Sequence, residues 1–124
     1  CVGGISGAVN SGTNGLSTKV FLLGCYEFGW TSGQVSDTIP LDGATLDYFK
    51  NTSTTDSKRI AYDNGSAFFY WCRSSDIGND NYAFGVSQTG GQSQDRVNLA
   101  YSVRPALILP FTAKFDSTTL ILKG

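Results

Sequence analysis

The chain has 124 residues, enough for one domain that buries roughly two-thirds of the surface exposed by its unfolded form. Hydrophobic residues make up 40% and charged residues only 15%, so the surface is one of amides and hydroxyls rather than ions. A net charge of -1 excludes the clustered basic footprint of a nucleic-acid binder, and the absence of His removes the commonest general base and zinc ligand together.

No apolar run approaches the ~20 residues a membrane helix requires, so membrane insertion is not expected. The sequence lacks Met and has no charged-then-apolar leader, so it reads as an excerpt or processed product without a signal peptide.

Residues 1–18, rich in Gly, Ser and Asn, read as a lead-in or linker end, and residues 19–124 as the domain. Lys-Val-Phe-Leu-Leu at 19–23 is a strand ended by Gly24. Residues 26–36 form a loop with Trp30 buried. The spacing of Leu46 and Phe49 predicts a short helix over 42–51, capped by Asp42 or Thr45. A polar loop covers 51–58 and a short strand 59–62. Asp63-Asn64-Gly65 is a turn, because Asn-Gly favours primed hairpins.

The run Ala-Phe-Phe-Tyr-Trp-Cys-Arg at 67–73 predicts a strand buried on both faces. After a polar loop over 74–81, alternation at 82–87 predicts another strand. Residues 88–95 read as a turn, 96–101 as a strand, and 103–110 as an apolar strand that starts near Pro105. Residues 114–117 and 119–122 close the chain, as a terminal hairpin or as a peptide running to a neighbour. This pattern predicts an α+β fold, mainly short antiparallel strands with one or two short helices.

Three Cys leave at least one thiol unpaired within the chain. Cys1 reads as a fragment boundary. Cys25 and Cys72 read as buried free thiols that pack as small hydrophobes, with a Cys25–Cys72 disulfide as the alternative.

Two segments carry a family resemblance. Phe69-Tyr-Trp-Cys-Arg-Ser74 resembles the aromatic-Trp-x-Arg-Ser signature of a domain family widespread in bacteria and their phages. Ser102-Val-Arg-Pro-Ala-Leu107 resembles that family's Val-Arg-Pro-Ala ending, at a similar spacing. Cys72 stands where the family usually has an apolar residue. The resemblance covers residues 19–109 and implies a compact C-type-lectin-like fold. That fold is shared with formylglycine-generating enzymes and with the variable proteins of diversity-generating retroelements. It further implies a place at the tip of a phage tail or on a bacterial surface, with the segment between the signatures as the exposed binding face.

The preferred binding surface is therefore 76–101. Its candidates are Asp76, Asn79, Asn81, Tyr82, Phe84, Gln88, Gln92, Gln94, Asp95, Arg96, Asn98 and Tyr101. Aromatic rings give rigid contact area and amides give adaptable hydrogen bonds. Strand alternation leaves Tyr82 or Phe84 free to point inward instead. Asp76, Asn79, Asp80 and Asn81 offer the oxygens calcium prefers, although a solvated turn is the plainer reading and the Glu-Pro-Asn and Trp-Asn-Asp motifs of calcium-dependent lectins are absent. Arg73 and Arg104 read as structural ties rather than an anion-binding pair, and Trp30 and Trp71 as core.

Catalysis is not expected: a Ser nucleophile lacks its His, and no Ser-x-x-Lys motif substitutes. The expected function is recognition of a cell-surface protein or glycan, without a cofactor, by a virion tail or cell-surface protein. The alternative is a structural or decoration module of a virion or surface assembly. Either setting allows a homo-oligomer, such as a trimer formed through a parent protein.

Overall fold

In the computed structural model, the described residues form ten short strands and two single 3-10 turns. The structure describes residues 20–32, 39–41, 43–50, 53, 56–107, 114–115 and 122–123. The strands are β1 (Val20–Leu22), β2 (Ala61–Asp63), β3 (Ser66–Phe68), β4 (Tyr70–Ser75), β5 (Tyr82–Val86), β6 (Gln92–Arg96), β7 (Ser102–Val103), β8 (Pro105–Leu107), β9 (Lys114–Phe115) and β10 (Leu122–Lys123). The protein is mostly β, with no α-helix among the described residues.

The main sheet has the order β6-β5-β4-β7, with β7 parallel to β4 and the other pairs antiparallel. Three two-stranded ribbons accompany it: β1-β8, β2-β3 and β9-β10. The β2–β3 turn forms as its residues demand. Asn64 and Gly65 both take positive φ, 47° and 79°, which a primed turn needs and Asn-Gly tolerates. The β9–β10 pairing corresponds to the terminal hairpin.

The core lies on one face of the main sheet. Tyr70, Cys72, Phe84 and Val86 point into it and meet Cys25, Phe28, Trp30, Ile39 and Phe49. The segment carrying Cys25, Phe28 and Trp30 is bound to β4 by two bonds. The Arg73 amide donates to the Leu23 carbonyl (2.9 Å), and the Cys25 amide donates to Ser74 Oγ (2.9 Å).

Arg59 is the polar centre of this core, with only 1% of its surface exposed. Its guanidinium donates twice to the Phe28 carbonyl (3.1 and 3.0 Å) and once to the Ser53 carbonyl (2.9 Å). The rings of Trp30 and Phe49 pack on it at 5.1 and 5.9 Å. Its own carbonyl accepts from Tyr70 Oη (2.5 Å) and from Arg104 Nη1 (3.0 Å).

Several expectations are corrected. The helix over 42–51 is a single 3-10 turn, Asp47–Phe49. The Thr45 hydroxyl, available for a cap, donates instead to the Tyr26 carbonyl (3.0 Å), and Leu46 stays exposed while Phe49 alone is anchored. Asp42 and Asn51 lie outside the described residues. Arg59 belongs to the second 3-10 turn, Ser57–Arg59, capped by the Asp56 carboxylate rather than to a strand. The run 67–73 is not one strand buried on both faces. It breaks at Phe69, and β4 then alternates between fully and partly buried residues. The stretch read as a turn over 88–95 contains β6, and the stretch read as a strand over 96–101 is mostly turn.

Replacing Arg59 with Met removes both guanidinium donors to the Phe28 carbonyl while keeping most of the side-chain volume. Stability should fall by about 3 kcal/mol, read as an earlier urea midpoint at unchanged slope. Tyr70 gives a separate alkaline signature. Burial pushes its hydroxyl from 10.0 up to about 12 against the pull of Arg104. Folding therefore favours the protonated phenol. Its contribution is complete below pH 10, is lost as pH rises toward about 12, and vanishes from the pH–stability curve of Tyr70→Phe.

Candidate functional site

The segment 76–101 spans the β4–β5 loop, the β5–β6 hairpin and the turn into β7, and it sorts its residues onto different surfaces. Across β5 and β6 the register pairs Val86 with Gln92, Phe84 with Gln94, Ala83 with Asp95 and Tyr82 with Arg96. Residues directly opposite share a face, and the faces alternate along each strand. Phe84, fully buried, fixes the core side. Gln92 and Gln94 share that side; Gln92 is buried and Gln94 half-buried. These three sequence candidates therefore lie on the core side of the sheet.

The opposite face of the sheet carries Trp71, Gly85, Ala83, Ser93 and Asp95. Phe69 lies across Gly85, where any side chain would overlap its ring and approach the Tyr70 carbonyl at 2.7 Å. Tyr101 packs on Phe69 with ring centroids 4.2 Å apart and on Trp71 at 5.1 Å, and Phe69 meets Trp71 edge-on at 5.3 Å. The Tyr101 hydroxyl donates to Asp95 Oδ2 (2.7 Å), and the Arg96 amide donates to Asp95 Oδ1 (2.8 Å). Those two bonds, the Tyr101 one first, hold the Asp95 carboxyl below its ordinary pKa, and the same carboxylate raises that of Tyr101. Trp71, expected in the core, is half-buried in this outer cluster, whereas Trp30 is core as expected.

A second group gathers at the end of the sheet. Tyr82 Oη accepts from Arg96 Nε at 3.4 Å, which raises the Arg96 pKa. The Val97 amide donates to the Asn81 carbonyl (3.0 Å), so the β4–β5 loop and the β6–β7 turn lie together. Asn79, Asn81, Arg96 and Asn98 are exposed there. Gln88 is exposed in the turn at the other end of the hairpin, five residues of strand away, and does not join either group.

The loop oxygens proposed for calcium turn mainly to their own backbone. Asp76 is buried, and its Oδ1 accepts the Gly78 amide (3.0 Å). Asn79 Oδ1 accepts the Asn81 amide (3.2 Å). Asp80 is exposed beside them. Among the described residues, no three His, Cys, Asp or Glu side chains are grouped to hold a metal ion.

Arg73 and Arg104 tie loops to strands. Arg73 Nη1 donates to the Leu22 carbonyl (2.9 Å) and pairs with Glu27 at 2.8 Å, while Arg104 Nη1 reaches the Arg59 carbonyl and Tyr70 Oη (3.2 Å). Sequence reasoning missed Phe69 and Trp71 as parts of the outer cluster. The available signal was Gly85, since a glycine inside a strand marks a close approach.

Gly85→Ala should therefore displace Phe69 and loosen the outer cluster. A loss of about 2–4 kcal/mol is expected, with weakened near-ultraviolet circular dichroism from the aromatic rings. Phe69→Leu in the same chain should recover part of that loss, and strict additivity of the two changes would contradict the overlap.

Neither the curated proteins nor the solved structures contain a match to this chain. The family model described as a domain of unknown function, DUF6273, matches residues 2–111. By that match, which spans most of its length, the chain belongs to the DUF6273 family.

Proposed function

We propose that this chain is a non-catalytic recognition domain with a C-type-lectin-like fold, carried by a phage tail or bacterial surface protein. It binds a cell-surface protein or glycan. The observation that carries the reading is two neighbouring sets of polar and aromatic groups held ready: Tyr101 on Asp95 on the outer face of the sheet, and Tyr82 on Arg96 at its end with the exposed amides of Asn79, Asn81 and Asn98. A surface already fixed by its own hydrogen bonds loses little side-chain freedom on binding, which favours affinity.

The two signature segments support the C-type-lectin-like fold, because their arginines tie the strands that frame this surface. The absence of His supports a binding rather than a catalytic role.

A second reading rests on a different feature. Val97, Leu99 and Val103 are 51%, 42% and 64% exposed around Tyr101. An apolar border of this kind suits a structural module that packs against copies of itself in a virion or surface layer.

The test replaces Tyr82, Asn98 and Tyr101 together with Ala and measures binding on a glycan array and on whole bacteria. The recognition reading expects a loss of at least ~10-fold, since buried aromatic contacts dominate interfaces. Unaltered binding would place recognition elsewhere. A stable homo-oligomer in light scattering that buries the same residues would favour the structural module.

A further inference from the structure

The core contains a second feature that the recognition surface does not use. Cys25 and Cys72 are 0% and 5% exposed and belong to the same core cluster. Both are free thiols packed in that cluster, and Cys25 is near enough to Cys72 to act on its titration. The segments that carry them are held together beside the pair: the Arg73 amide on the Leu23 carbonyl, and the Cys25 amide on Ser74 Oγ, both at 2.9 Å. The Glu27–Arg73 ion pair, 2.8 Å and mostly shielded from water, closes the same junction. A disulfide requires two Cys backbones at neighbouring-strand separation with side chains turned toward each other. The bonds at this junction bring the two segments side by side, and the shared core cluster holds both side chains.

We propose that Cys25 and Cys72 form a disulfide-bonding pair, oxidised by exchange with a small-molecule disulfide of the glutathione class. One thiolate attacks the glutathione disulfide and releases one reduced glutathione. The second thiolate then attacks the mixed disulfide at the protein sulfur and releases the other. The protein loses two protons and two electrons, and the oxidant gains them. The bond would enclose residues 25–72 and fasten the segment bearing Phe28 and Trp30 to β4.

Burial also sets when the reaction occurs. Exchange needs a thiolate, and burial pushes the Cys72 thiol well above its ordinary pKa. The folded protein therefore reacts slowly, and the bond closes while the chain folds.

The experiment uses the full chain with Cys1→Ser, which leaves only this pair. The protein is unfolded, reduced, and refolded in a mixture of oxidised and reduced glutathione. The expected product is lighter by two hydrogen atoms, has no titratable thiol after denaturation, and yields a peptide that joins Cys25 to Cys72. Its Tm should exceed that of the reduced form by about 10 °C, because the enclosed loop is long. Cys72→Ala in the same background should gain no such rise. Two titratable thiols, or a glutathione adduct on each Cys, would overturn the proposal. Protein exported to an oxidising compartment supplies the same readouts without refolding, and the same results overturn the proposal there.

Discussion

The guanidinium of Arg59 is the constraint on which the remaining packing depends. A buried cation is costly unless its donors are satisfied and its charge is spread over polarisable neighbours. Here three guanidinium bonds go to backbone carbonyls, and two aromatic rings pack on it. Burial pulls its pKa below the ordinary value, yet arginine starts so far above neutrality that the charge persists. The arrangement fixes the Phe28 segment, Ser53 and the second 3-10 turn relative to one another. The Arg59 carbonyl extends the same network to Tyr70 on β4 and to Arg104 between β7 and β8. With helical structure among the described residues limited to two short turns, this polar network does the joining there that helix packing does in other small domains.

From that joint the outer surface follows. β4 is gripped on its core side by Tyr70 and Ser74 and on its flank by Arg73 with Glu27. It therefore presents Trp71 in a fixed position on the far side. Gly85 on the neighbouring strand leaves space for Phe69, and Phe69 with Trp71 supports Tyr101. The proposed recognition surface is thus not a set of independent loops. Its aromatic part stands on the same two strands that wall the core, so changes to the core reach it through β4 and β5.

Legibility in the sequence tracked how local each signal was. Asp63-Asn64-Gly65 specified its hairpin because the φ demand falls on the turn residues themselves. β1, β4 and β5 were legible from their apolar and aromatic runs. β6 was not, because Gln-Ser-Gln-Asp-Arg has no apolar alternation; it is a strand because β5 pairs with it along its whole length. The 42–51 helix was overestimated because Leu46 and Phe49 have helical spacing, yet only Phe49 found a partner in the core. Arg59 carried no local sign of its role, since its carbonyl acceptors come from other parts of the chain. Within 76–101, composition does not sort the residues by face; only strand register separates Asp95 from Phe84, Gln92 and Gln94.

That separation determines the kind of contact the surface can offer. Asp95 already accepts from Tyr101 and from the Arg96 amide, and Arg96 leans on Tyr82. The two charges, Asp95 half-buried and Arg96 exposed, are neighbouring and opposite in sign, so their fields largely cancel beyond about a Debye length. The chain as a whole adds only a net charge of -1. The recognition surface proposed above would therefore steer weakly at long range and would discriminate by shape, ring faces and amide dipoles at contact distance. Asn79, Asn81 and Asn98 each bring both a donor and an acceptor, and Tyr101 brings a ring held in place from beneath. A surface of that kind suits a neutral ligand with many hydroxyl or amide groups better than an ionic one.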